Sequence, residues 1–272
     1  MTTVHAIAPR TALFLPASNP RAIAKARTLE ADIILLDLED AVPAAQKEAA
    51  RDAAVAAAQD GFDGKLLAIR VNGAESAEHG ADIAAVANSA ADFAILPKAE
   101  EAEGVKKVAA AVGKPLMVMI ETPKGVLNAS AIAALDGVTC LIAGTNDLRS
   151  ELRIPAAAPR DGLALALQTI VLAARAGGCW ALDGVFNALD DVEGLEHECV
   201  QGRAIGFDGK TLIHPGQLAV ARRAFSPTPE EVEEARALVA AASDGAERFR
   251  DRMIEAMHVR QARALIDRID TH

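Results

Sequence analysis

Tyrosine is missing from this 272-residue chain, tryptophan occurs once, and aromatic residues make up only 3% of it. Proteins that stack bases or anchor in a membrane interface rely on such rings, so neither role is expected. Cations are also in short supply, 28 Lys and Arg against 38 Asp and Glu, for a formal charge of −10. A nucleic-acid partner would need a clustered basic surface, and none is expected here. A local Arg or Lys can still receive a small anion. The three cysteines, Cys140, Cys179 and Cys199, are too few and too scattered for a disulfide framework or a CxxC metal site. They read as small buried hydrophobes in a reducing compartment. No apolar run approaches the ~20 residues of a membrane span. The first twenty residues also lack the long apolar stretch of a secretory signal. A cytoplasmic location without a membrane partner is the expectation.

Short, continuous apolar runs are plentiful. They fall at Thr11–Leu15, Asp32–Leu36, Leu66–Val71, Asp92–Leu96, Pro115–Ile120, Val138–Ala143, Cys179–Leu182 and Thr211–Ile213. Continuity rather than alternation is the pattern of strands covered on both faces. Between them lie Ala-rich stretches with helical spacing, including Ala81–Asn88, Gly104–Val112 and Leu163–Ala176. Eight strands alternating with helices imply parallel pairing through right-handed crossovers. Eight is also the number that closes an α/β (β/α)8 TIM barrel. An open doubly wound sheet usually places a glycine-rich phosphate turn after its first strand. This chain has Leu15–Pro16–Ala17–Ser18–Asn19–Pro20 there, so the barrel is favoured.

The barrel is expected to occupy residues 1–225, with residues 226–272 as a helical lid and oligomerisation extension. Thr228 as N-cap, Pro229 at the first helical position and Glu231 as the reciprocal cap mark a helix start. A second helix is predicted from about Arg250 to Ile269. The extension looks too small for a core of its own, which favours packing on the barrel or a neighbour. That favours an oligomer, and a homotrimer or homohexamer is the expected assembly.

Chemistry in such a barrel gathers where strands end. The polar residues there are Asp37, Glu39 and Asp40; Arg70 and Asn72; Lys98; Glu121; Asn146 and Asp147; Asp183; and His214. Convergent carboxylates out of water repel one another unless a cation compensates. All-oxygen ligation without cysteine points to Mg2+ rather than Zn2+. Glu121 and Asp147, on neighbouring strands, are the expected metal ligands, with Glu39 and Asp40 holding metal-bound waters. Arg70 lies between Ile69 and Val71, where its charge demands an anionic partner. Two readings stay open: a fixed salt bridge to a ring carboxylate, or a bidentate grip on a substrate carboxylate or enolate oxygen. Lys98 as a Schiff base is unnecessary beside paired metal carboxylates. His214 is expected to hydrogen-bond its loop or meet the cofactor. His5, His79, His197, His258 and His272 show no ligand spacing, and Trp180 reads as core.

The segments IILLDLEDAV (Ile33–Val42), IRVN (Ile69–Asn72), LPKAE (Leu96–Glu100) and IETPKGV (Ile120–Val126) occur in that order. GTNDL (Gly144–Leu148), ALDGV (Ala181–Val185) and GFDGKTLIHPGQL (Gly206–Leu218) follow. Together they resemble the citrate lyase beta-subunit-like group of the HpcH/HpaI aldolase family, over about Thr11–Phe225. The resemblance implies a Mg2+-dependent carbon–carbon lyase acting on acyl-CoA thioesters such as citryl-CoA or malyl-CoA. It assigns the metal to Glu121 and Asp147, substrate contact to Arg70, and CoA contact to Asn19, Arg21 and Lys25. Two departures stand out. Asn146 replaces the glutamate that many relatives carry before the metal aspartate. Met253–Ile254–Glu255 replaces an M-[IV]-D segment whose aspartate reaches a neighbouring site as acid/base, and Glu is one methylene longer.

The leading expectation is retro-aldol or retro-Claisen cleavage of a 3-hydroxyacyl-CoA such as citryl-, malyl- or citramalyl-CoA, with Arg70 and Glu255 as catalytic residues. The alternatives are a CoA-independent class II aldolase on 2-oxo-3-hydroxy acids, a malyl-CoA-type thioesterase, and a non-catalytic acyl-thioester-binding subunit. A small 2-oxoacid is the expected partner in the first of these.

Overall fold

The computed structural model describes residues 7–155, 157–242, 247–250 and 252–270. His5 and His272 lie outside the described residues. The chain divides into two compact units, one holding Ala8–Phe225 and the other Ser226–His272. Among the described residues no helix is long and apolar enough to cross a membrane.

The first unit is a closed barrel of parallel strands in sequence order. They are β1 (Thr11–Pro16), β2 (Ile33–Asp37), β3 (Leu66–Arg70), β4 (Phe93–Leu96), β5 (Leu116–Ile120), β6 (Val138–Ala143), β7 (Trp180–Asp183) and β8 (Gly209–Leu212). β1 closes the ring by pairing with β8. Helices at His79–Ala87, Ala102–Val112 and Ala164–Gly177 fill the stretches predicted helical.

Both faces of each strand are buried, which explains the unbroken apolar runs. Side chains at alternate positions form two separate cores. Ile33, Leu35, Ala68, Phe93, Ile95, Met117, Met119, Cys140, Ile142, Trp180 and Leu182 fill the barrel interior. Ile34, Leu36, Ile69, Leu116, Val118, Ile120 and Leu141 pack outward against the helices. Trp180 is 5.8 Å from Phe93 between ring centroids and is core, as expected. All three cysteines are buried, and none is in a disulfide. Burial pushes their thiols up, Cys199 to about 11, so none supplies a ready thiolate.

The second unit departs from the expected pair of helices. Thr228 caps the Pro229–Ala241 helix through a capping box with Glu231, as predicted. The final helix, however, begins only at Ala256. Ahead of it, β9 (Glu247–Phe249) and β10 (Arg252–Ile254) form an antiparallel hairpin. The apparent helical spacing of Met253 and Ile254 is instead strand alternation: Met253 is exposed and Ile254 is buried. The hairpin also gives this short unit an apolar centre of its own, formed by Ala235, Leu238, Ile254 and Ala262. Two helices alone would have lacked this layer.

Candidate active site

The alternation that builds the interior also delivers the site. Extending the inward positions of β2, β3 and β5 by one step past the apolar residues places Asp37, Arg70 and Glu121 at the C-terminal mouth. A cavity of about 410 Å³ opens there. Phe14, Met119, Val185 and Ile213 provide apolar wall, while Asp37, Asp40, Arg70, Glu121, Asn146 and Asp147 provide the polar groups.

Arg70 is held before any ligand arrives. Its Nε and Nη2 donate to the two carboxylate oxygens of Asp37, each at 2.7 Å. The two residues are register partners across β2 and β3, so adjacent strands present the pair side by side. Asp37 also accepts from the backbone N–H groups of Glu39 and Ala41, tying the following loop to the same clamp. The guanidinium stacks 5.0 Å from the Phe14 ring centroid. Burial opposes its charge, but the Asp37 hydrogen bonds and the nearby carboxylates hold it more firmly protonated than an ordinary arginine. Of the two sequence readings, the salt bridge is therefore present, and the bidentate fork is already occupied. Nη1 remains, 3.0 Å from Glu39 Oε2 and 3.7 Å from Met119 Sδ. Sequence alone left open which ring carboxylate pairs with Arg70, and the structure selects Asp37. Its inward parity and its level with Arg70 on the next strand were the available signal.

Glu121 is almost wholly buried, and its Oε1 accepts the Lys98 backbone N–H at 2.7 Å. Lys98 reaches that position with φ of 51°, a left-handed conformation that a non-glycine residue adopts only when its surroundings impose it. Gly144 makes room on the other side. A Cβ there would stand 2.2 Å from Glu121 Cβ. Burial raises the Glu121 carboxyl to about 7; the Lys98 N–H opposes the rise, Asp147 and Glu39 add to it, and Arg70 opposes it.

Glu39 is also buried, with its carboxyl raised by burial and by Asp40 against the pull of Arg70 and Lys98. Its Oε1 lies 3.1 Å from Lys98 Nζ, while Oε2 makes the Arg70 ion contact without hydrogen-bond geometry. Asp40 is exposed and sits 3.8 Å from Lys98 Nζ. Burial is the largest single influence on the Lys98 amine and lowers it, but Glu39, Asp40 and Asp147 together more than compensate and keep it protonated. An ammonium in that state is a poor Schiff-base nucleophile. Beneath the loop, Lys47 Nζ donates to the Leu38 and Glu39 carbonyls and to Asn72 Oδ1.

Other strand-end residues separate from this cluster. Asp183 has outward parity and lies in the helical layer, paired with Lys210 at 3.0 Å and with Arg160. Lys210 also contacts Glu198 at 2.6 Å. His214 stays with its loop, where Nδ1 accepts the Gly216 N–H. Asn19 is exposed, and its side chain accepts from the Ala22 N–H as a helix cap. Arg21 and Lys25 are exposed on the same short helix, and none of the three lines the mouth cavity. Glu255 belongs to the second unit. It is exposed, sits between hairpin and final helix, and donates its N–H to His258 Nδ1.

The donor set fits a hard divalent cation. Buried Glu121, raised by lack of solvation and by a neighbouring carboxylate, is a group whose charge such an ion would stabilise. Among the described residues no three acidic, histidine or cysteine groups gather in ligand geometry. A cation between Glu121 and Asp147 would take its remaining ligands from water and substrate, the habit of Mg2+.

Comparison with known proteins agrees with this architecture. A family model described as HpcH/HpaI aldolase/citrate lyase matches residues 10–215, and one described as C–C bond lyase of the TIM-barrel fold matches residues 166–272. The chain belongs to the HpcH/HpaI aldolase/citrate lyase family. It is 42% identical over 263 residues to a (3S)-malyl-CoA thioesterase of Cereibacter sphaeroides, covering 93% of this chain and 92% of that protein. It is 36% identical to a citrate lyase subunit beta-like protein of Mycobacterium tuberculosis, with 94% of each covered. CitE of M. tuberculosis, in complex with magnesium, acetoacetate and coenzyme A, superposes with a TM-score of 0.85 at 35% identity. That comparison covers 98% of this chain and all of the other.

Proposed function

We propose that the protein is a Mg2+-dependent carbon–carbon lyase that cleaves a 3-hydroxyacyl-CoA thioester of the malyl-, citramalyl- or citryl-CoA type. The observation that carries this reading is the pairing of buried Glu121 with Asp147 across a mouth cavity beside the clamped Arg70. Glu121 and Asp147 would hold the ion. When bound, it supplies Lewis acidity toward the hydroxyl and carboxylate oxygens of the substrate. Arg70, fixed by Asp37, keeps Nη1 for oxygen charge that develops on the departing fragment. Its rigidity means that little reorganisation is needed as that charge appears. Glu39 and Asp40 would orient water at the metal, and Glu255, from the same or a partner subunit, would carry the proton. Asn19 and Lys25 would meet the CoA portion at the rim.

Thioester hydrolysis is the second reading, favoured by the 42% identity to a (3S)-malyl-CoA thioesterase. One assay separates the two. Purified protein is incubated with each acyl-CoA and Mg2+, and products are followed by mass. Cleavage yields a shorter acyl-CoA and a 2-oxoacid; hydrolysis yields free CoA and the hydroxy acid. Absence of any metal-dependent product from all three thioesters refutes both.

A further inference from the structure

A second cavity, of about 330 Å³, adjoins the mouth cavity, with Thr145, Asn146 and Val185 lining both. Its character is different. Arg149, Arg160, Asn146 and Asn187 bring guanidinium and amide groups to it, and Glu198 is the carboxylate in its wall. Glu198 is already engaged, 2.6 Å from Lys210 and 3.7 Å from Arg160. With Asp183 these groups form a closed set of two cations and two anions. Arg149 is left over. Both of its hydrogen bonds run from Nη1 to backbone carbonyls, Ala158 at 2.8 Å and Pro155 at 3.4 Å. Among the described residues it pairs with no carboxylate, although the chain carries ten more acids than bases. Two buried polar atoms in the same wall, Arg160 Nε and Thr145 Oγ1, have no hydrogen-bond partner. Asn187 donates to Asn146 Oδ1 at 2.7 Å, so an amide pair stands where the two cavities meet.

We propose that this cavity is an oxyanion subsite, taking a carboxylate or phosphate group through Arg149 and the Asn146–Asn187 amides. It rests on the proposed function only in placing the other end of a longer ligand at Glu121 and Asp147. A guanidinium with unspent N–H groups beside neutral amides suits a planar or tetrahedral oxyanion, which accepts several charge-assisted hydrogen bonds at once. A ligand with one carboxylate at the metal site would ignore the subsite, whereas one with a second anionic group gains from it.

The test is calorimetric and needs no turnover. Wild-type protein, Arg149→Met and Asn187→Asp are titrated with pyruvate and with oxaloacetate in Mg2+, and with inorganic phosphate without metal. Asn187→Asp serves as the second variant because it adds a negative charge, like that of the ligand, where the two cavities meet without removing the Arg149 backbone bonds. The expected result is about tenfold weaker oxaloacetate binding in both variants, with pyruvate within about twofold of wild type. That outcome identifies the acyl carboxylate as the occupant. Loss confined to phosphate supports a free phosphate-type anion instead. Oxaloacetate and phosphate binding unchanged by both variants, or absent from wild type, overturns the proposal. Equal weakening of pyruvate and oxaloacetate with phosphate untouched also overturns it. The phosphate arm uses neither metal nor thioester, so its result stands apart from the lyase assay.

Discussion

Replacing Glu121 by Gln tests the metal site through stability before any activity is measured. The carboxyl rises from an ordinary 4.5 to about 7 in the folded protein, chiefly through burial. Between those pH values the native state keeps a proton that the unfolded chain releases, so raising the pH favours unfolding. The penalty is absent below about 4.5 and complete above about 7, and the shift corresponds to at most about 3 kcal/mol. Gln has the same shape, can still accept the Lys98 N–H, and cannot ionise. In metal-free buffer at pH 8 the variant should therefore be more stable than wild type, with a Tm rise on the order of 6 °C. At pH 4.5 the two should melt together. Millimolar Mg2+ should raise the wild-type Tm at pH 8 and leave the variant nearly unmoved. Thermal melts by circular dichroism, in pH steps with and without Mg2+, check all three statements. A wild-type curve flat from pH 5 to 8, or a variant that is less stable at pH 8, would refute the buried-charge argument.

Four further outcomes follow from particular contacts. Gly144→Ala forces a Cβ against Glu121 Cβ, so the Tm should fall and the Mg2+-dependent rise should shrink in the same melts. Arg70→Lys keeps the charge but cannot reproduce the two-point pairing with Asp37, costing about 1–3 kcal/mol in urea unfolding and most of the turnover. Lys210→Met leaves Arg160 as the one cation between the carboxylates of Asp183 and Glu198 and should cost about 3–5 kcal/mol, while any surviving folded protein keeps its Mg2+ response. Glu255→Gln, at an exposed position, should leave the Tm unchanged and depress kcat about a hundredfold with KM little altered. Equal turnover in that variant would remove Glu255 from the chemistry.

The eight apolar runs already carried the barrel, because burial on both faces of a parallel strand writes itself into consecutive residues. The position of Glu121 was legible for the same reason, as the next inward residue after Met117 and Met119. The Thr228 cap was readable because a capping box involves only four adjacent positions. Beyond that local range the sequence became ambiguous. Arg70 clearly needed an anion, yet choosing Asp37 over a ligand required the β2–β3 register. Asp183 and Glu121 both end strands, and one step of parity sends the first among helices and the second into the mouth. The left-handed turn at Lys98 and the hairpin before Ala256 are imposed by contacts with residues far along the chain or by strand pairing. Periodicity is a property of neighbours, so it survives in sequence. Which charge meets which depends on register and loop closure, and these exist only once the strands are assembled.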